Sequence, residues 1–152
     1  MSRPEEQAAF DKAFELATRL GEMMQTALAE RGLTTARAQV IFRLHHAGPL
    51  VQRRLSEELR CSPRQVTALI DALEETGFVE RRPHPTDRRA TVVSLSEQGT
   101  KEAERMDAER AESAAVLLGD TPTRQLSAFI AVTDHFISQI DRRAGSPTWS
   151  GY

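Results

Sequence analysis

The chain has 152 residues, of which 39% are hydrophobic and 28% are charged, and its formal net charge at pH 7 is −2. This composition predicts one ordinary globular domain and excludes a protein that coats nucleic acid through bulk positive charge. The single cysteine excludes an internal disulfide and a zinc-finger ligand set, while the lack of a long apolar run or a signal-like N-terminus predicts a cytoplasmic protein without a membrane span.

Two helices are predicted in the first third of the chain. The first covers residues 5–31, where apolar side chains recur close to heptad spacing until Gly32. This stripe consists of Phe10, Phe14, Ala17, Gly21, Met24 and Leu28. A second, shorter helix is predicted to begin near Thr34, a potential N-cap, and to end at Gly48, which a proline follows.

Two further helices, separated by a tight turn, are predicted next. The first covers residues 50–59, with Val51, Leu55 and Leu59 at helical spacing. The second begins at Ser62, which supplies an N-cap, with proline at the first helical position and glutamine where a capping box needs it. Its outward face near the N-terminus carries Arg64, Gln65, Thr67, Ala68 and Asp71. This arrangement is typical of a helix-turn-helix whose second helix enters the DNA major groove.

A β-hairpin is predicted after the second of these helices. Gly77 can end that helix in a left-handed conformation, and the hydrophobic period then changes to two over residues 78–82 and 90–95. Residues 83–89 contain two prolines, which cannot donate to a strand ladder, so this segment is predicted to be the hairpin loop. An arginine-rich hairpin beside a polar helix is typical of a wing.

These residues resemble the MarR (multiple antibiotic resistance regulator) family of winged-helix transcription factors. The family signature is Asp-x-Arg, five residues, Leu-Thr, two residues and Gly. It matches Asp87, Arg89, Leu95, Ser96 and Gly99, with serine in place of threonine. The segment from residue 62 to residue 81 is also similar to the family. The resemblance extends over roughly residues 5–142, as expected for one domain of usual size.

The last third of the chain is predicted to form two helices. An acidic helix starts near Ser96 and breaks at Gly119 and Pro122. In the final helix, a heptad-like stripe consists of Leu126, Ile130, Thr133, Ile137 and Ile140. Apolar stripes on the terminal helices need cover, which favours a homodimer. The resemblance implies the same arrangement, with the terminal helices forming the dimerisation region.

The predicted fold class is therefore α+β and mostly helical, a winged helix-turn-helix with N- and C-terminal dimerisation helices. Within a single domain over residues 1–152, we expect dimerisation helices at 5–32 and 97–142, a DNA-binding region at 33–96 and a flexible tail at 143–152. The tail contains turn-forming residues and no periodicity.

The predicted partner is double-stranded DNA with a pseudo-palindromic operator. The resemblance implies a repressor of nearby genes that is released by a small phenolic or other aromatic effector. The alternative is a winged-helix module that binds proteins and does not read DNA. An enzyme is not predicted, because the sequence shows no nucleophile–base pair, phosphate loop or metal set, and no cofactor is expected.

The DNA-contacting residues that we predict are Arg53, Arg54, Ser62, Arg64, Gln65, Thr67, Arg88 and Arg89. Arginine suits bidentate contacts with guanine and insertion into a narrow minor groove. Asp87 is expected to brace the wing through a hydrogen bond to Arg89. Arg53 and Arg54 stay open between phosphate contact and a solvated surface. The alternative for the other residues is an ordinary exposed helix face or hairpin turn.

Five further positions allow alternatives. Cys61 suggests a redox sensor, but peroxide-sensing relatives carry their cysteine in the first helix, so a small buried turn residue is expected. His45 and His46 point about 100° apart on a helix, so no metal site is predicted. Arg60 stands where relatives often have glycine, so the backbone there is either not left-handed or mildly strained. Ala38 replaces a frequent aromatic residue, which allows either an effector cavity or close helix packing.

Overall fold

A computed structural model of the protein describes residues 3–144. It contains α1 (Pro4–Ala29), α2 (Thr35–Ala47), β1 (Leu50–Val51), α3 (Gln52–Glu58), α4 (Pro63–Glu75), β2 (Val79–Pro83), β3 (Thr91–Leu95), α5 (Glu97–Leu118) and α6 (Thr123–Ala144). Over the described residues, six helices and one small antiparallel sheet confirm the predicted α+β, mostly helical winged-helix class. The chain divides into two compact units after Asp107, within α5.

The first unit is built around a three-stranded antiparallel sheet with the strand order β1-β3-β2. Val93 of β3 lies opposite Leu50 of β1 on one side and Arg81 of β2 on the other. The core below the sheet consists of Leu28, Leu33, Ala38, Val40, Ile41, Leu44, Leu55, Val66, Ile70, Leu73, Val79, Val93 and Ala103. Burial of each larger aliphatic side chain stabilises the fold by about 1.5–3 kcal/mol, so this core holds α3, α4 and the hairpin in place.

Three boundaries differ from the predicted ones. Leu50 and Val51 form β1 instead of the start of a helix, because they pair with β3, a partner that lies about forty residues away in the chain. Pro83, predicted to lie in the hairpin loop, is the last residue of β2 opposite Thr91. A strand end tolerates proline because its missing N–H is not needed there. Helix α6 continues to Ala144, so the predicted tail begins too early, and residues 145–152 lie outside the described residues.

Exposed apolar side chains are concentrated on the helices outside the winged region. On α1 they are Phe10, Phe14, Leu16, Leu20, Met23 and Met24. In the second unit they are Val116, Leu117 and Leu118 of α5 and Phe129, Ile130, Val132, Ile137 and Ile140 of α6. Phe14 is 70% exposed and Val132 is 67% exposed, values that are unusual for side chains of this size. Between residues 3 and 144, no helix is long and apolar enough to cross a membrane.

Candidate nucleic-acid interface

The turn between α3 and α4 is closed by a left-handed residue. Arg60 has φ +52°, and its N–H donates to the Glu57 carbonyl at 3.3 Å. The N–H of Cys61 donates to the Ser56 carbonyl at 3.1 Å, which completes a Schellman motif. The buried Ser56 hydroxyl donates in turn to the Cys61 carbonyl at 2.7 Å. Of the two alternatives at Arg60, the structure therefore shows the strained one, and this turn sets the angle between the two helices.

The start of α4 shows the predicted capping box. The Ser62 hydroxyl accepts the Gln65 N–H at 3.2 Å, and the Gln65 side-chain oxygen accepts the Ser62 N–H at 2.9 Å. At the other end of α4, Gly77 has φ +82°, the predicted left-handed conformation. Because these oxygens are occupied, the polar groups left to face a ligand are the Ser62 hydroxyl proton and the Gln65 side-chain NH₂.

The outward face of α4 is solvent-exposed at the predicted positions. Val66, Ile70 and Leu73 are buried, whereas Arg64 and Thr67 are exposed on other sides of the helix. The helix therefore shows its polar side chains to solvent over its first two turns, where a groove-binding helix needs them.

The tip of the β2–β3 hairpin is organised by two side chains. Asp87 Oδ1 accepts the backbone N–H of Arg89 at 2.9 Å. His84 Nδ1 accepts the backbone N–H groups of Thr86 at 3.3 Å and Asp87 at 3.1 Å. The expected bond between Asp87 and Arg89 is thus present and is made to the main chain. The guanidinium of Arg89 remains exposed at the tip.

The candidate arginines fall into two groups. Arg53 pairs with Glu57 at 3.3 Å, and Arg54 pairs with Glu58 at 2.8 Å, both along α3. In the part of the chain that the structure describes, the guanidinium groups of Arg64, Arg88 and Arg89 form no ion pair. The second group therefore presents positive charge that the protein does not neutralise. Surface ion pairs such as those of Arg53 and Arg54 contribute only about 0–1 kcal/mol to stability. A DNA phosphate can therefore displace the glutamate carboxylates from these two arginines.

Two ion-pair clusters hold these elements together, and sequence reasoning missed both. Arg81 of β2 contacts Asp71 at 2.6 Å and Glu74 at 2.7 Å, which ties the hairpin to α4. Burial opposes the charge of Arg81, but the hydrogen bonds to these carboxylates outweigh it and raise the pKa of Arg81. Arg43 of α2 pairs with Glu58 of α3, and this hydrogen bond lowers the pKa of the Glu58 carboxyl. Residues this far apart give no local sequence signal.

The cysteine and the adjacent histidines have partners within the first unit. Cys61 is half-buried, and its Sγ donates to the Leu59 carbonyl at 3.4 Å. His45 and His46 both contact Asp107, at 3.3 Å and 3.6 Å. Among residues 3–144, no group of three or more His, Cys, Asp or Glu side chains is arranged to hold a metal ion. Ala38 is buried in the core.

A helix-turn-helix followed by an arginine-tipped hairpin defines a winged-helix protein. Residues 33–91 match the model of the MarR family. The chain is 33% identical over 73 residues to the HTH-type transcriptional regulator YdgJ of Bacillus subtilis, a match that covers 48% of this chain and 44% of YdgJ. It is 27% identical over 92 residues to the HTH-type transcriptional repressor YetL of the same bacterium, covering 59% and 55% of the two chains. The chain thus spans about half the length of these curated relatives.

A solved structure agrees with this assignment at the level of the fold. The crystal structure of Streptococcus pneumoniae FabT in complex with DNA superimposes with a TM-score of 0.83 at 14% identity, covering 90% of this chain and 98% of FabT. Residues 33–91 are thus similar to the MarR family of winged-helix transcriptional regulators. Members of this family are regulators and not enzymes.

Proposed function

We propose that this protein binds double-stranded DNA as a homodimer, at a pseudo-palindromic operator, and represses transcription from it. The observation that carries the proposal is the set of exposed arginines without ion pairs. Arg64 lies at the start of α4, and Arg88 and Arg89 lie at the hairpin tip. Positive charge left unneutralised on a helix and a wing of one small unit suits the major groove and the flanking minor groove or backbone.

Similar proteins support the DNA partner and the direction of regulation. FabT was solved in complex with DNA, and YetL is described as a repressor. The net charge of −2 means that attraction to DNA must come from this local cluster and not from the chain as a whole.

Within this proposal the predicted site residues have different roles. Arg64 reads a base edge, preferably guanine, while Arg88 and Arg89 contact phosphate or enter the minor groove. Arg53 and Arg54 bind phosphate by exchanging their exposed pairs with Glu57 and Glu58. The Ser62 hydroxyl and the Gln65 amide donate to phosphates beside the helix start, and Thr67 lies against the bases.

The homodimer is supported by the exposed apolar side chains of α1, α5 and α6. We assign residues 5–32 and 97–142 to dimerisation and residues 33–96 to DNA binding, in one domain. A two-fold axis then places two α4 helices on half-sites about 10 base pairs apart. Light scattering should give roughly 34 kDa, twice the 16.9 kDa chain, and a stable monomer at micromolar concentration would contradict this part of the proposal.

Release by a small phenolic or other aromatic effector completes the regulatory cycle that the family resemblance implies. Such a compound lowers DNA affinity only by binding the DNA-incompetent state more tightly, so DNA must weaken effector binding by the same factor. Calorimetric titration of simple phenols, with and without operator DNA, tests this reciprocity. Equal affinities in both titrations would remove the effector from the proposal.

The DNA partner itself is tested with an operator selected in vitro from random duplexes. Arg64→Ala should cost about 1–3 kcal/mol on the operator and relax the preference at one base position. Arg89→Ala should weaken binding to operator and scrambled DNA alike and flatten the log–log salt dependence by about 0.9 per lost phosphate contact in each protomer. Arg124→Ala, an exposed arginine of α6, is the matched control. If all three variants bind as the parent does, the protein-interaction alternative becomes the better explanation.

A further inference from the structure

The hydroxyl group of Thr67, on the exposed side of α4, is held by two protein partners. Its Oγ1 donates to the Pro63 carbonyl one turn earlier, at 2.9 Å. The same oxygen accepts a hydrogen bond from Nε2 of Gln52, the first residue of α3, also at 2.9 Å. The side chain is thus fixed from its own helix and from the neighbouring one, although the residue is exposed.

This arrangement limits what Thr67 can offer to a base. A hydroxyl has one proton to donate, and here the Pro63 carbonyl already takes it. Thr67 therefore cannot donate to guanine O6 or N7, adenine N7 or thymine O4 without breaking an internal bond. Its methyl group makes no hydrogen bond and is the side-chain group left for contact. In the major groove, the base that offers a complementary apolar group is thymine, through its 5-methyl.

Neighbouring residues fit a small apolar contact at this point. Ala68, next in sequence, is also exposed and carries only a methyl group. Arg64 lies three residues before Thr67, so the two side chains are about 5–6 Å apart on the helix surface. That separation corresponds to one or two base-pair steps, which places the apolar contact beside the base that Arg64 reads.

We propose that Thr67 is a specificity-determining residue that selects thymine through a methyl–methyl contact, with Gln52 as the positioning residue that keeps the hydroxyl turned away. The inference rests on the proposed function, because it assigns a base preference to a helix that must first enter the groove.

The experiment uses the full-length protein and its selected operator, with each thymine replaced in turn by deoxyuridine, which lacks only the 5-methyl group. In the parent, one thymine position in each half-site should be sensitive. Its replacement in a single half-site should weaken binding about fourfold, the value of one buried methyl group. Thr67→Val keeps the methyl group and loses the hydroxyl, so it should keep the deoxyuridine sensitivity of the parent. Thr67→Ser keeps the hydroxyl and loses the methyl group, so it should bind the thymine operator about fourfold more weakly per half-site and become insensitive to deoxyuridine.

The possible results distinguish a failure of the Thr67 assignment from a failure of the proposed DNA binding. Loss of deoxyuridine sensitivity in Thr67→Val, with Thr67→Ser still sensitive, would show that the hydroxyl carries the contact, and the methyl assignment would be overturned. A parent that binds the operator but tolerates every deoxyuridine replacement would overturn it as well. A parent that selects no sequence from the random library would contradict the proposed function itself. Unchanged thermal unfolding and an unchanged salt slope in both variants exclude a folding effect.

Discussion

Arg81, on the first strand of the hairpin, β2, forms an ion pair with Asp71 of α4 at 2.6 Å. The same guanidinium reaches Glu74, one turn further along the helix, at 2.7 Å. The Arg81 side chain is only 22% exposed, so this pairing is better shielded than the surface pairs along α3. It fixes the hairpin against the helix and so links the two candidate DNA-contacting elements.

Loss of the Arg81 ion pairs with Asp71 and Glu74 should destabilise the fold. Arg81→Ala is expected to lower the free energy of unfolding by about 1 kcal/mol, a modest value because both carboxylates are partly exposed. Arg81→Lys should lose less, since one ammonium can still reach one carboxylate. Urea unfolding at a fixed protein concentration measures both. Arg82→Ala, on the same strand but 68% exposed, is the control and should change stability by less than about 0.5 kcal/mol. Equal effects at both positions would contradict a specific role for Arg81.

The left-handed backbone at Arg60 predicts a stabilising substitution. A side chain in this conformation costs roughly 1–2 kcal/mol, and the greater freedom of glycine in the unfolded chain offsets about half of that. Arg60→Gly should therefore stabilise the protein by about 0.5–1 kcal/mol in urea unfolding. Arg60→Ala removes the same side-chain contacts and keeps the strain, so it separates the two effects. A gain in Arg60→Ala equal to that in Arg60→Gly would place the cause in the side chain.

How much the sequence could predict depended on the range of the interactions. The capping box of Ser62 and Gln65 and the helix end at Gly77 were predictable, because each involves residues within one turn of one another. The pairing of Leu50 with Val93 was not, because a two-residue strand has no period of its own.

The same limit applies to the candidate site. The sequence placed eight residues on it and left Arg53 open between phosphate contact and a solvated surface. It did not show that Arg53 pairs with Glu57 whereas Arg64 forms no ion pair in the described structure. That difference follows from side-chain geometry. The tie between Arg81 and Asp71 likewise joins two elements whose relative position only the folded core establishes.

Gly99, the glycine that ends the family signature, has a steric role that can be measured. A Cβ atom added at the buried Gly99 would lie 2.0 Å from the Phe78 carbonyl oxygen. Because that atom belongs to the backbone, α5 and the hairpin would have to separate, so Gly99→Ala should cost about 3 kcal/mol or more. Lys101→Ala, two residues later on the exposed side of α5, should cost less than about 0.5 kcal/mol. Thermal unfolding of the two variants makes the comparison, and similar melting temperatures would contradict the steric role.

Acid stability should depend on the contact between Arg43 and Glu58. This hydrogen bond lowers the pKa of Glu58 below its ordinary value of 4.5. A lowered pKa in the folded state gives stability that is fully present above pH 4.5 and is lost as the pH falls through the lowered value. Glu58→Gln should therefore flatten the decline of stability below pH 4.5, and Arg43→Ala should flatten it in part, because Arg54 still pairs with Glu58. Urea midpoints between pH 3 and 7 test this, and parent-like slopes in both variants would show that the pair does not contribute.

The hydrogen bond from the Arg89 N–H to Asp87 predicts a difference between two variants of equal charge. Asp87→Asn and Asp87→Ala both remove the carboxylate, but asparagine keeps a side-chain oxygen that can accept the Arg89 N–H. If the bond braces the hairpin tip for DNA, Asp87→Ala should bind the selected operator about 3- to 10-fold more weakly than Asp87→Asn, the usual net value of one hydrogen bond. The log–log salt slopes of the two variants should be equal, because neither change removes a phosphate contact. Fluorescence anisotropy across a salt series gives both quantities. Equal affinities would show that the tip keeps its shape without Asp87, and a slope difference would show that the substitution displaces an arginine.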